Sequence, residues 1–203
     1  MFEENRAPAR QIRAHQSDTT VRVYQAYSPE IAEPALAKGT FVAPFKRERM
    51  TWIKPSFLWM AYRCGYARKP GQERVLALDL TRDGFEWALA HATLSHYDAD
   101  VHPDQKAWQD SLKASPVRLQ WDPERDLRHR ALNHRSIQIG LSGEAVGRYV
   151  DDWITAVTDV TPLMREIGAH VDADRLDQAI PLLPEETPYA LPADLAKAID
   201  ATA

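Results

Sequence analysis

Strand-like and helix-like stretches follow one another along this chain, and the loops between them differ in length. Residues 20–27 are β-branched and aromatic with period-two alternation, which predicts a strand. Ser28 then supplies an N-cap and Pro29 a first helical position. We expect that helix to end at Gly39. Because the loops are too uneven for a regular βαβ series, the predicted fold class is α+β, with mixed or antiparallel sheets and packed helices.

The same signals outline the other elements. Further strands are predicted at residues 49–54, 74–80, 117–121 and 136–141. Further helices are predicted at residues 56–65, 83–93 and 143–160, the second opened by a capping-box pattern at Asp83–Glu86 and the third capped by Ser142 and ended by Thr161 and Pro162. Residues 95–115 are polar, and we expect an irregular segment with one helical turn near Trp108.

The length of the chain and the absence of an internal repeat or a low-complexity linker indicate one domain over residues 1–203. Residues 1–138 hold 21 Lys/Arg against 17 Asp/Glu, a net of +4, whereas residues 139–203 hold 4 against 12, a net of −8. We expect a core over about residues 8–162. The acidic, proline-rich segment 163–203 is expected to wrap the surface with short helices.

Several classes of protein and site are excluded or disfavoured by the composition. Cys64 is the only cysteine, which excludes an intrachain disulfide framework and any multi-cysteine metal site. It lies in an aromatic-rich predicted helix, where a buried, inert thiol is the expected state. The N-terminus lacks the apolar stretch of a signal peptide, and no stretch has the length of a membrane helix. We therefore predict a cytoplasmic protein without membrane association.

Common catalytic motifs are absent, including the dinucleotide-binding, phosphate-loop and zinc-protease patterns. The loop from His96 to His102 offers two imidazoles and two carboxylates that could face one metal ion, but such residues are also common in solvated loops. His129 and His134 lie among arginines that would repel a cation. We assign no metal.

Basic residues form three local clusters: Lys46, Arg47 and Arg49; Arg63, Arg68, Lys69 and Arg74; and Arg125, Arg128, Arg130 and Arg135. Two interpretations stay open. The arginines could be solvated and paired with nearby acids, or some of them could line an anion-binding cleft.

Polar and aromatic residues also interrupt three otherwise apolar segments. They are Arg22, Tyr24 and Gln25 in the first strand; Trp52, Lys54, Ser56, Trp59, Tyr62 and Arg63 at a strand–helix junction; and Gln120, Trp121, Asp122, Glu124 and Arg125 at the end of a later strand. Such residues need polar partners, which either a shared cleft or a structural polar network could supply. In a cleft, the aromatic rings could stack on a base and the cations could bind phosphate.

The segments RMTWIKPSFLWMAYR, RVYQAY, LQWDPER and RSIQIGL together resemble a bacterial and fungal family catalogued as domain of unknown function 4291. The resemblance covers about residues 8–160. It implies that these segments belong to one site or one core, and it implies no settled activity.

A second similarity is to the ADP-ribosyltransferase superfamily. In that pattern Arg22 matches the first-strand position, Thr51 or Ser56 the second, and Gln120 with Glu124 the third. The resemblance implies NAD binding and a carboxylate that stabilises an oxocarbenium-like transition state. The chain departs from the pattern because no Glu-x-Glu occurs at the late strand.

We therefore predict an enzyme acting on a nucleotide or nucleic acid, including NAD-dependent ADP-ribosyl transfer. The predicted catalytic residues are Glu124 and Gln120, and the predicted cofactor-binding residues are Arg22, Tyr24, Trp52, Lys54, Ser56, Arg63 and Trp121. This hypothesis expects these side chains to line one cavity. The alternatives are a non-catalytic module that binds nucleic acid or protein through the same surface, and a structural protein.

Overall fold

The computed structural model describes residues 8–202. Its strands are β1 (Arg13–Ala14), β2 (Thr20–Tyr27), β3 (Thr51–Ile53), β4 (Arg74–Thr81), β5 (Ala92–Leu94), β6 (Val117–Arg125), β7 (Ala131–Leu141), β8 (Ile154–Asp159) and β9 (Thr187–Pro188). Its α-helices are α1 (Pro29–Lys38), α2 (Phe57–Cys64), α3 (Arg82–Ala90), α4 (Gln105–Ala114), α5 (Glu144–Arg148), α6 (Thr161–Asp172), α7 (Leu176–Ala179) and α8 (Ala193–Ala198). A π-helical turn spans Tyr149–Trp153 and a 3₁₀ turn spans Ile180–Leu182.

The strands form three sheets, which makes the protein a single-domain α+β fold as predicted. One sheet is antiparallel in the order β2-β4-β8. The second has the order β3-β7-β6-β5 and is mixed, since β5 runs parallel to β6. The third is the short antiparallel pair β1-β9, which joins the N-terminal part of the chain to its C-terminal segment.

The β2-β4-β8 sheet is covered on both faces, which is why its strands are rich in apolar residues. The side chains of Val21 and Val23 enter the larger core cluster, which also includes apolar residues of the second sheet and of α1, α3 and α5. Tyr24 and Val75 enter the second cluster, which includes α2 and α6. This placement leaves the edges and ends of the two sheets for polar side chains.

Strand β2 and helix α1 confirm the predictions made from the local sequence signals. β2 covers the predicted residues, and α1 begins at Pro29 and ends before Gly39, whose φ of 73° is the left-handed conformation that glycine favours. Ser28 occupies the N-cap position without a capping hydrogen bond, because its hydroxyl donates instead to Glu30 at 2.9 Å.

The predicted helix over residues 143–160 is wrong. Only α5 and the π-helical turn are helical there, and residues from Ile154 onward form β8, the third strand of the first sheet. Pairing with β4 outweighs the local helical pattern, since it satisfies the backbone groups along that edge. Thr161 and Pro162 begin α6 rather than ending a helix, and Pro162 lies in its first turn, where proline is tolerated.

Two helix starts also differ from the predictions. The N-cap of α5 is Gly143, and the hydroxyl of Ser142 donates to the carbonyl of Pro116 at 2.9 Å instead of capping the helix. α3 begins at Arg82, with Thr81 as the N-cap whose hydroxyl accepts from the amide of Gly84 at 3.2 Å.

The segment predicted to be irregular, residues 95–115, contains α4, a full ten-residue helix. Asp104 caps it by accepting from the amide of Ala107 at 2.7 Å, and the indole N–H of Trp108 donates to the carbonyl of Leu94 at 2.8 Å. None of its residues is fully buried. The low apolar content that hid the helix in the sequence reflects this surface position.

The C-terminal segment contributes to the interior as well as to the surface. Met164 and Ile167 of α6 are buried in the second cluster, and Tyr189 and Ile199 are buried in the first. Within residues 8–202, no helix has the length and apolar character needed to cross a membrane.

Candidate functional site

A cavity of about 500 Å³ lies where the first two sheets meet. Its lining comes from β2, from the loop before β3, from the junction between β3 and α2, and from the turn after α2. The amide of Tyr24 donates to the carbonyl of Lys54 at 2.7 Å, and this bridge connects the two sheets beside the cavity. We call this feature the basic cavity.

Four cationic side chains line the basic cavity: Lys46, Arg49, Lys54 and Arg63. Its lining includes no Asp or Glu. None of the four cations forms an ion pair with a carboxylate of residues 8–202. No described carboxylate within 4.0 Å neutralises the charge of these cations. Their charge is therefore open to an anion that enters the cavity.

Neighbouring basic residues of the same sequence clusters behave differently. Arg47 forms a bidentate pair with Asp151 at 2.7 Å, and the guanidinium of Arg68 donates to Asp172 at 2.6 Å. Several cluster members outside the cavity are thus paired with acids, as one interpretation expects. Lys46, Arg49 and Arg63 line the cavity without such a pair among the described residues, as the other interpretation requires.

Lys54 is the one cation of this set that is buried, with 6% of its surface exposed. Its amine donates to the carbonyl of Trp52 at 3.2 Å and makes no hydrogen bond to an acidic side chain. Burial lowers the pKa of Lys54 to about 8, and the positive charge of Arg63 adds to this effect, whereas the carboxylate of Asp122 opposes it. At pH 7 such an amine is mostly charged, with roughly one-tenth of it uncharged, a much larger fraction than for an ordinary lysine.

Aromatic side chains form the apolar part of the lining. Trp52 is paired in register with Gly140 of β7, and the closeness of its ring to Gly140 leaves little space for a Cβ atom there. Tyr27 and Phe45 meet edge to face, with centroids 6.0 Å apart. Flat rings beside cations are the surfaces on which a base and its phosphates are commonly held.

A buried hydrogen-bond network holds this wall in place. The amide nitrogen of Gln25 donates to the hydroxyl of Thr51 at 2.6 Å and to the carbonyl of Trp52 at 3.1 Å. Its carbonyl oxygen accepts from the hydroxyl of Tyr149 at 2.7 Å. Because both ends of the Gln25 amide are satisfied, the residue fixes β2 against β3 and is a structural member of the site.

The structure brings three of the predicted site residues together and separates the others. Trp52, Lys54 and Arg63 line the basic cavity. Arg22 does not, because its guanidinium makes a bidentate pair with Asp79, its cross-strand partner, at 2.7 and 2.8 Å. The expected convergence of all the predicted residues in one cavity is therefore corrected.

Glu124 and Ser56 line a separate, narrow cleft that also includes Arg13. A second carboxylate approaches Glu124 from the C-terminal segment, where Glu186 accepts from the amide of Phe57 at 2.7 Å. Burial raises the pKa of Glu124, and burial together with the charge of Glu124 raises the pKa of Glu186 to about 8. We call Glu124 and Glu186 the carboxyl pair.

Tyr24 lies beside the carboxyl pair and is fully buried. Its ring meets Phe57 edge to face at 5.4 Å, and its hydroxyl has no hydrogen-bond partner among the described residues. Burial raises the pKa of Tyr24, and the charge of Glu186 adds to the effect. Tyr24 is thus a core residue and does not line the basic cavity.

Gln120 and Trp121 lie at a third cavity of about 170 Å³. The amide of Gln120 donates to Asp122 at 2.8 Å, and the indole of Trp121 donates to the carbonyl of Ile199 at 2.8 Å. Neither side chain lines the basic cavity, and Gln120 lines a different cavity from Glu124. The predicted catalytic pairing of Gln120 with Glu124 has no shared cavity in the structure.

Two kinds of functional candidate carry no distinguishing signal in the sequence. Lys46 and Arg49 are recognisable as basic, but nothing distinguishes them from Arg47, whose acidic partner is distant in sequence. Glu186 carries no local signal, since an acid in an acidic segment is typical of a solvated surface. Only the fold shows which charges are paired and which are buried.

Cys64 and the loop from His96 to His102 are the other reactive groups considered in the sequence. Cys64 is fully buried, and burial raises the pKa of its thiol, as expected for an inert cysteine. The imidazole of His102 lies 3.0 Å from the carbonyl of Asp98, in the loop considered for a metal. No group of three or more His, Cys, Asp or Glu in residues 8–202 has an arrangement suited to a metal ion.

Comparison with protein families places most of the chain in one family. A protein-family profile described as "Domain of unknown function (DUF4291)" matches residues 11–189, which is most of the chain. The comparison with curated proteins returned no match. The matched range includes β2, the junction between β3 and α2, and both members of the carboxyl pair.

Proposed function

The chain belongs to the DUF4291 family, whose description assigns no activity, and from the basic cavity we propose that it is an enzyme acting on a nucleotide or nucleic-acid substrate. The observation that supports this proposal is the convergence of four cations without a carboxylate in the lining. Such a charge distribution suits phosphate groups. It would repel a cationic ligand.

The size and composition of the cavity support the same ligand class. About 500 Å³ falls within the usual range for small-molecule sites, roughly 300–1,000 Å³. Trp52, Tyr27 and Phe45 offer flat apolar surface beside the cations. A nucleotide combines a flat ring with phosphates, so it would use both parts of the lining.

Lys54 favours an enzyme over a simple receptor. A buried amine whose pKa is lowered to about 8, inside a cavity, is the kind of perturbed group that active sites contain. We assign phosphate binding to Lys46, Arg49 and Arg63, base stacking to Trp52, and the reactive role to Lys54. These ligands occur in the cytoplasm, the location that we propose.

NAD and ADP-ribosyl transfer form the finer version of this proposal. NAD carries two phosphates and two bases, which the cations and rings of the cavity could hold. The roles that the resemblance implied for Arg22 and Glu124 need revision, because Arg22 is paired with Asp79 and Glu124 lies outside the cavity. NAD binding would instead depend on Trp52, Lys54 and Arg63.

Calorimetry with the whole chain tests ligand binding, using AMP, ATP, NAD and a short single-stranded RNA. We expect Arg63→Gln to weaken binding by about tenfold, since it removes a charge-assisted contact. Arg68→Gln is the matched control, because Arg68 is paired with Asp172 outside the cavity. Absence of binding to every ligand, or equal losses in the two variants, would contradict the proposal.

The second candidate is a non-catalytic module that binds nucleic acid. The exposure of Lys46, Arg49 and Arg63 at the cavity favours it, since a polymer could reach all three. For this module, log affinity for RNA should fall steeply with log salt concentration, and the bound RNA or nucleotide should be recovered unchanged after long incubation. Conversion of a bound ligand into product would favour the enzyme.

A further inference from the structure

We propose that Lys54 is a nucleophile that forms an imine with the free aldehyde carbon of a phosphorylated ribose held in the basic cavity. This inference rests on the proposed function, because the phosphate site must exist for the sugar to be positioned. It names the substrate class of that site as an aldose phosphate or a nucleotide with a free ribose carbonyl.

The position of Lys54 is the first observation that carries the inference. Its side chain lines the cavity and is nevertheless buried, with 6% of its surface exposed. It makes a single hydrogen bond, to the carbonyl of Trp52. The amine is therefore not held by a salt bridge among the described residues and can face an incoming carbon atom.

The surroundings of Lys54 are the second observation. A lysine becomes nucleophilic at neutral pH when it is desolvated or lies next to another cation, and both conditions hold here. Arg63 lowers the pKa of the amine, while Asp122 and Cys64 act in the opposite direction and are outweighed by burial. With a pKa of about 8, the neutral fraction at pH 7.5 is on the order of 10²-fold larger than for an ordinary lysine.

The lining of the cavity favours an aldehyde over a phosphorus atom as the electrophile. Attack on a nucleoside triphosphate expels pyrophosphate, and the described lining supplies no carboxylate to help hold a divalent ion for that leaving group. Imine formation needs no co-reactant. The lysine nitrogen attacks the carbonyl carbon, its two protons and the carbonyl oxygen leave as water, and a carbon–nitrogen double bond remains.

Lys46, Arg49 and Arg63 supply the selectivity in this scheme. They hold the phosphate, so that the carbonyl of the sugar is kept near the amine of Lys54. A ribose without phosphate lacks this attachment. We therefore expect ribose 5-phosphate to react faster than ribose by about tenfold or more.

The experiment traps the imine with cyanoborohydride in the full-length protein at pH 7.5, with ribose 5-phosphate, ADP-ribose or ribose as the probe. Reduction adds the mass of the sugar less one oxygen, and peptide mass spectrometry locates it. We expect the adduct on Lys54 with the two phosphorylated probes. Lys54→Arg should lose the adduct, since it removes the amine and keeps a positive charge at this position. Lys38→Arg, at an exposed helical lysine, is the control and should keep the adduct on Lys54.

Each outcome decides the matter. Protection of Lys54 by excess AMP in the unmodified protein would support the inference even if Lys54→Arg did not fold. The inference would be overturned if exposed lysines such as Lys38 were modified to the same extent as Lys54, at equal rates with ribose and ribose 5-phosphate. In that case retained AMP binding would leave the proposed function standing, whereas loss of both binding and adduct would refute both.

Discussion

The indole ring of Trp52 packs on the backbone of Gly140, its cross-strand partner on β7. A Cβ atom at position 140 would lie 3.0 Å from ring atoms of Trp52 and 3.0 Å from the sulfur of Met50. Close approach, and not an unusual backbone angle, therefore disfavours a side chain at position 140. Two lining residues of the basic cavity depend on this contact.

Gly140→Ala should displace Trp52 and narrow the cavity. We expect a loss of stability of about 1–3 kcal/mol, as for other overpacked sites, together with weaker nucleotide binding. Urea unfolding and calorimetry measure the two effects. Gly147→Ala is the control, since a Cβ there meets no atom within 4 Å and the change should stabilise α5 by about 0.5–1 kcal/mol. Tighter ligand binding in Gly140→Ala would contradict this account of the wall.

Lys54→Met should stabilise the protein while removing the reactive amine from the basic cavity. The pKa of Lys54 falls from 10.5 to about 8 on folding, so the folded state binds fewer protons between these values. Stability from this group therefore rises as the pH increases from about 8 to 10.5, and the charged amine is a cost at pH 7. We expect a gain of about 1–3 kcal/mol at pH 7 in the variant and little difference above pH 10. Urea unfolding across this pH range tests the sign.

The contribution of Glu186 to stability should change over a lower pH range than that of Lys54 and with the opposite sign. The pKa of Glu186 rises from 4.5 to about 8 on folding, so the folded state holds the proton more tightly than the unfolded chain. Its contribution is fully present below about pH 4.5 and is lost as the pH rises through 8. At pH 8.5 the free energy of unfolding of the Glu186→Gln variant should exceed that of the native protein by about 1–3 kcal/mol. The variant keeps an acceptor for the amide of Phe57 without the charge.

The control for this change is Glu185→Gln, because Glu185 is adjacent and exposed. The groups that face Glu186 are Glu124, Arg13, Tyr24 and the amide of Phe57. Equal pH profiles for the native protein and Glu186→Gln would show that the carboxyl pair does not share a repulsive contact.

Two buried tyrosines should respond oppositely to loss of their hydroxyls. The hydroxyl of Tyr24 has no partner among the described residues, so Tyr24→Phe should keep or raise stability, by up to about 1 kcal/mol. The hydroxyl of Tyr149 donates to Gln25 at 2.7 Å, and Tyr149→Phe should cost about 1–3 kcal/mol by leaving a buried acceptor unsatisfied. Thermal unfolding of both variants measures the contrast, and equal losses would count against the network around Gln25.

Local signals predicted the elements whose boundaries are set locally. The alternation in β2 and the proline and glycine that flank α1 fix those elements within a few residues of chain. The segment that became β8 has a pattern compatible with a helix, and it is a strand because β4 offers an unpaired edge about 75 residues earlier in the chain. Such non-local pairing leaves no signal within the six residues of β8.

The site was predictable to the extent that its residues are close together in sequence. Trp52, Lys54 and Arg63 lie on one short strand–helix unit, and the structure places them at one cavity. Arg22 and Asp79 attract each other across strands, so the arginine that looked available is neutralised. Pairings of this kind depend on register, which the sequence pattern does not specify.

The hydrogen bond from the amide of Tyr24 to the carbonyl of Lys54 makes the basic cavity a seam between two independent sheets. Tyr27 belongs to one side of that seam and Trp52 to the other. A ligand that contacts both sheets would restrict their motion relative to each other. Ligand binding would then slow amide hydrogen exchange in both sheets, including at amides far from the bound phosphates.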